Sequence, residues 1–370
     1  MNDVSDKSND SLSYSPKVTF ILERLTRLFV DRRQDIILAK MNVPNNALRE
    51  FAQNNDPGFC QYPDLDQRVD FWDKLNKERI AICDDSVPQA YLSELDQGLY
   101  AGLFNADVRF LCDTETGWIS SMVPPLLNDL KEIAGLSFTK ESIWYHRYID
   151  QLRKFVRRAD GKFGISHFIL INGLNFVFEL IGATQTYIEM MERPKLVAEA
   201  MELAYRVNLH IQSTFFEYVP LVRGGTCSNM IQWAPGKIIS ESLDPFHMTG
   251  PEYFEKWGAG PVERIFSDFD GGVIHIHSNG RHLLEAASRL KGLKAICLQD
   301  EPQNPPAFEC LEELKSKTAN IPLVCSAPLD RFSRLLQDNK LPGGVFYDVT
   351  DVPDIDTANR TMELVREYRA

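Results

Sequence analysis

The chain has 370 residues, 40 basic against 52 acidic, a formal net charge of −12 and a 44% hydrophobic content. These are the proportions of an ordinary soluble globular protein, and they exclude a disordered, collagen-like or disulfide-scaffold chain. An acidic chain without a long basic block is also a poor match for nucleic acid, whose phosphates demand Lys and Arg.

Residues 1–16 are rich in Ser, Asn and Asp, lack an apolar run, and read as a flexible N-terminal tail rather than a signal peptide. Residues 17–78 read as a helical N-terminal extension, because Phe20, Leu22, Leu25, Leu28 and Phe29 recur at helical spacing. From Arg79 to the end, residues 79–370, short apolar runs ending in polar residues alternate with helix-period segments. Arg79 to Cys83 leads into Asp84-Asp85, Val108 to Cys112 into Asp113, and His167 to Ile171 into Asn172-Gly173. A long amphipathic stretch, 184–218, follows.

The second half repeats the unit more regularly. Gly272 to His277, Lys294 to Leu298, Ile321 to Cys325 and Gly344 to Tyr347 each precede a polar turn and a helix. Strand–loop–helix repetition implies a parallel sheet with right-handed crossovers, and the cadence predicts an α/β fold, a (β/α)8 TIM barrel. The apolar stretch 163–183 carries His167, Asn172, Asn175 and Glu179, too many polar groups for a bilayer, so no membrane partner is expected. Seven scattered cysteines without a CxxC pair read as reduced thiols of a cytoplasmic protein. Neither a GxGxxG turn after the first strand nor a GxxxxGK[ST] loop is present, so nucleotide phosphates lack their usual cradles.

Active sites of such barrels lie at the carboxyl ends of the strands. That rule selects Asp84, Asp85, Asn172, His275, His277, Asp300, Glu301, Cys325 and Asp348. His275 and His277 stand two apart on one strand, so both imidazoles project from the same face. An HxH strand end is a recurrent source of two ligands for zinc, with Cys325 or Asp348 as candidates for the third. Asp84 or Asp85 can serve as an acid if burial raises its pKa. Asn279, in the Ser278-Asn279-Gly280 turn, can present a helix start to an anion. Trp233 is a candidate lid over a flat ligand.

The run from Gly272 to Gly280, followed by Leu283-Leu284, resembles the "HxCG…L" segment of the uroporphyrinogen decarboxylase superfamily, which includes zinc- and corrinoid-dependent methyltransferases. Further pieces fall in the same order: Cys83 to Pro88, Phe104 to Val108, Arg193 to Val197, Trp233-Ala234 with Ser240 and Pro251 to Phe254, Ser326 to Asp330, and Pro353-Asp354 with Asn359. The Arg-rich segment with which decarboxylases of this family grip propionates is missing before Asp84, and Tyr347-Asp348-Val349 replaces their "GHG". The methyltransferase branch holds zinc with HxC plus a late cysteine. Here His277 takes the first cysteine position, and the late position falls near Val349, where Cys325, Asp348 or Asp351 is the expected substitute.

The resemblance implies a methyltransferase acting on a small molecule, with metal at His275, His277 and Cys325 and a methyl group from a methylcobalamin-type corrinoid on a partner protein. Asp84, Asp85 and Asp348 are the catalytic candidates, and Asn172, Trp233, Asn279 and Asp300 the substrate-binding ones. A decarboxylase or lyase of a tetrapyrrole or other carboxylated small molecule and a non-catalytic ligand- or corrinoid-binding member are the alternative readings, and a homodimer is a candidate assembly.

Overall fold

The eight strands that matter for the site are β1 (Ile37–Met41), β2 (Gln89–Tyr91), β3 (Gly164–His167), β4 (Ile239–Ser242), β5 (Gly272–His277), β6 (Leu293–Gln299), β7 (Leu323–Pro328) and β8 (Val345–Thr350). The structure is a computed structural model and describes residues 12–167 and 169–370. Six of these strands form one parallel sheet in the order β1-β8-β7-β6-β5-β4. β2 and β3 pair in parallel in a second sheet, extended by Gly225–Ser228 and Gln232–Pro235. The two sheets meet at a parallel bridge between Ile169 and Ser240. The arrangement is mixed α/β and TIM-barrel-like.

The strands are buried on both faces, which is why they read as near-continuous apolar runs instead of alternating ones. Alternation still decides which core each residue enters. Ile274, Ile276, Leu298, Cys325, Ala327, Tyr347 and Val349 pack into the larger core with the helices. Leu38, Val273, Ala295, Val324 and Phe346 enter a second core on the inner face. That inner core is filled by helix α1 (Val18–Phe29) and by Met230, Ile231 and Trp233. Its stripe is Val18, Ile21, Leu22, Leu25, Leu28 and Phe29, while Phe20 stays 44% exposed.

Several expectations are corrected. Residues 37–41, placed in a helical extension, form β1 and pair with β8. Their apolar run is compatible with helix or strand, and neighbouring Val345 to Val349 settles it by pairing. The run Arg79 to Cys83 is not a strand; it lies in turn and irregular backbone, with Ile80 exposed, and the strand falls later, at β2. Arg109–Asp113 joins an antiparallel meander with Gly58–Cys60 and Trp118–Met122 rather than the parallel sheet. The stretch 184–218 is two helices, Ala183–Glu192 and Pro194–Tyr218, because Pro194 forces Arg193 out of helical backbone and starts a new N-terminus. Of the tail, residues 1–11 lie outside the described residues; Leu12 is buried in the inner core and Ser13 donates its backbone N–H to Gly161. No described helix is long and apolar enough to cross a membrane.

β1 is the terminal strand of its sheet, and its free edge is covered by the segment that carries two of the catalytic candidates. Asp85 N–H bonds to Ala39 O, and the Asp85 carboxylate accepts from Ala39 N–H at 3.0 Å. Asp84 accepts from Met41 N–H at 2.8 Å. Two carboxylates thus satisfy edge amides that a neighbouring strand would otherwise take.

Candidate metal centre

Val273 points to the inner face, so the residues two and four further on, His275 and His277, do so too. Their rings stand 5.0 Å apart, centroid to centroid. The loop after β4 then delivers Asp244, on the short turn Asp244–Phe246, against both imidazoles. Asp244 Oδ1 lies 3.2 Å from His275 Nε2 and 3.6 Å from His277 Nε2. One oxygen and two nitrogens therefore converge within 4.8 Å of one another, a spacing at which a single metal ion can be held.

Three features fit these residues to a metal. Asp244 Oδ1 is buried and faces the ring nitrogens of His275 and His277 without a well-aligned hydrogen bond, a setting in which a shared cation would offset the cost of burying the carboxylate. The oxygen–nitrogen–nitrogen donor set suits zinc or a similar borderline ion. On the far side of His277, Nδ1 meets Glu301 Oε1 at 2.6 Å, the carboxylate–histidine contact that fixes the ring and directs the Nε2 lone pair at a metal. His247 adds a third imidazole, its Nδ1 3.7 Å from Asp244 Oδ1 and its ring 5.6 Å from that of His277. Gly280 makes room for it, since a Cβ there would stand 2.1 Å from the His247 ring.

The electrostatics are consistent. Burial works against the Asp244 charge, yet the adjoining His275, with His277 and His247, holds that carboxyl well below its usual range. Burial pushes His247 down to about 4, aided by His277 and His275 and opposed by Asp244. His247 is thus neutral near pH 7, as a ligand-competent imidazole must be.

No family model matches the chain, and no curated protein matches it in sequence. Among solved structures, a methyltransferase from Methanosarcina mazei aligns over 94% of this chain and 98% of its own, with a TM-score of 0.58 and 12% identity. The chain shares its fold with that methyltransferase.

The structure brings together only part of the predicted site. His275 and His277 belong to it, and Glu301 supports it. Cys325 does not: it follows Val324, so its thiol enters the helix-side core beside Tyr347, where burial drives its pKa well up. Asp348, half-exposed, lies elsewhere, 2.8 Å from Asn42 Nδ2 and 3.4 Å from Lys40 Nζ. Asp351 hydrogen bonds with Thr350 Oγ1. Asp84 and Asp85 are tied into the β1 edge and to Arg79 and Arg24. Trp233 is no lid; it is buried in the inner core and donates to Val222 O at 2.9 Å. Asp300 accepts from Arg281 and from Ala307 N–H, ordering its own loop. Asn279 is exposed. Asp244 carried no sequence signal beyond following β4 by two residues, and sequence reasoning missed it.

Asn172 is buried and donates weakly, at 3.4 Å, to Glu241 Oε2 on the helix side of β4. Burial pushes the Glu241 carboxyl up to about 8, against the opposing hydrogen bonds of Asn172 and Ser242. Asp96, buried beside Ser121, is pushed up to about 7. In both cases the folded chain holds a proton that the unfolded chain releases, so this contribution to stability is full below about pH 4 and lost as pH rises towards 8. Urea midpoints measured between about pH 5.5 and 8.5 are expected to fall, and Glu241→Gln to remove much of the decline. An identical decline in the variant would assign it to other groups.

Proposed function

We propose that the chain is a metal-dependent methyltransferase, its strands closed as a (β/α)8 barrel, that transfers a methyl group from a corrinoid on a partner protein to a small thiol. The convergence of Asp244, His275 and His277 on one point of the inner face carries this reading. The shared fold with a methyltransferase supports it. Asp244, His275 and His277 would hold the zinc, which would supply the charge that keeps a ligating thiol as thiolate at neutral pH.

The chain's own groups divide the remaining work. Asp244 contributes one negative charge to the centre. Glu301 accepts the hydrogen bond of His277 Nδ1–H and so fixes which nitrogen faces inward. Burial of His275, 4% exposed, keeps bulk water off that side of the centre.

The test uses the full chain with zinc, methylcobalamin and 2-mercaptoethanol under anaerobic conditions. Zinc-dependent loss of the methylcobalamin absorbance, with the methyl thioether as product, is expected. Failure to take up zinc together with absence of turnover would sink the reading.

A further inference from the structure

A cavity of about 710 Å³ is lined by neither Asp244 nor any of the three imidazoles. It runs from the carboxyl end of β1, at Lys40 and Asn42, past the 79–89 segment to α1 and the last helix, Ile355–Glu367. Its volume is that of a small-molecule site.

Its inner cations are already neutralised. Lys40 is 3.4 Å from Asp348, and Arg79 is 2.7 Å from Asp84. The outer end is different. Lys17 and Arg366 both reach Cys83, Lys17 Nζ at 3.7 Å from the sulfur and Arg366 Nη2 donating to the carbonyl. Among the described residues no carboxylate forms an ion pair with either, and Arg366 Nε is buried without an acceptor. Two positive charges thus converge on one residue at a cavity mouth, without an ion-pair partner among the described residues.

The walls are aromatic. Phe20, under the Arg366 guanidinium at 5.8 Å, is 44% exposed on a helix whose other large apolar residues are mostly buried. Trp72 lies deeper, with Tyr91 and Trp118 paired at 4.9 Å between centroids. A cation would be repelled at the mouth, and a neutral ligand would leave Arg366 uncompensated. An anion can accept from both Lys17 and Arg366 as charge-assisted hydrogen bonds.

We infer that this cavity is a second ligand site, separate from the metal centre, that takes a small organic anion with an aromatic body, its head group between Lys17 and Arg366. A carboxylate and a phosphate share that chemistry, and the experiment separates them. The inference stands apart from the methyltransferase reading, because no metal ligand takes part in it.

The probe is 8-anilinonaphthalene-1-sulfonate, an aromatic monoanion, titrated into the full-length protein by fluorescence. One saturable site is expected, and the Lys17→Gln/Arg366→Gln double variant is expected to bind about tenfold or more weakly. The His277→Ala variant is expected to bind as the parent does. Bound probe should slow iodoacetamide alkylation of Cys83, followed by mass spectrometry. Phenyl phosphate and phenylacetate are the competitors, and whichever displaces at lower concentration identifies the head group; benzyl alcohol should displace far less well than either. Unchanged affinity in a double variant with an unchanged urea midpoint overturns the site, as does alkylation of Cys83 at the same rate with saturating probe. Should the double variant not fold, Lys17→Gln alone, at an exposed position, carries the same comparison.

Discussion

Asp244→Ala is expected to lower zinc affinity by more than about 100-fold, while Cys325→Ala leaves it unchanged. The loss of a supporting carboxylate behind a ligand histidine typically costs about 10- to 100-fold in affinity, and a ligand in direct contact should cost more. Asp244 supplies the sole oxygen in the converging set and its sole negative charge. Cys325 faces the opposite side of the sheet, buried among Tyr347 and the helix-side core. Glu301→Gln provides the intermediate case, because it weakens the charge behind His277 Nδ1 without touching the centre itself. Competition with a chromophoric chelator at fixed pH would measure all three. A Cys325→Ala loss equal to that of Asp244→Ala would mean that the thiolate, and not the carboxylate, completes the centre. The cavity left by Cys325→Ala lies in the core, so its urea midpoint is expected to fall even where its zinc affinity does not.

What could be read from the sequence follows from the physics of each element. Gly272 to His277 is legible because a strand fixes side-chain direction by parity, so His275 and His277 had to share a face wherever the strand lay. The same parity explains the error at Cys325. Its strand, read as Ile321 to Cys325, runs Leu323–Pro328, so Cys325 lies within the strand and not at its end, and the face it takes relative to Val324 and the inner core is a tertiary fact. β1 was hidden because Ile37 to Met41 is a short apolar run, and such runs do not distinguish a buried strand from a helical segment. The reverse error at Arg79 to Cys83 has a related cause. Ile80 and Ile82 owe their apolar character to the cavity they line rather than to a sheet. Asp244 was invisible for a third reason: it sits in a loop, where position is set by the packing of Pro245, Phe246 and Leu243 and not by any period.

Asp85→Ala is expected to destabilise the fold by about 3–5 kcal/mol and to leave zinc affinity unchanged. Asp85 is fully buried and sits 2.7 Å from Arg24 Nε and 3.1 Å from Arg24 Nη2, with Ala39 N–H as its third donor. Burial raises its pKa, and Arg24 is the principal group opposing that rise. Removing the carboxylate strands a guanidinium that is only 12% exposed and leaves a β1 edge amide without its acceptor. The cost is that of an uncompensated buried charge, not the net worth of the pair. The double variant Arg24→Met/Asp85→Leu discriminates between these accounts. It removes both charges at similar volume, and is expected to recover most of the loss seen in urea unfolding. A catalytic Asp85 would behave otherwise, with activity lost in the double variant as fully as in the single one. Recovery of both stability and turnover in the double variant would make Asp85 the group that joins α1, which fills the inner face, to the strand edge beside it.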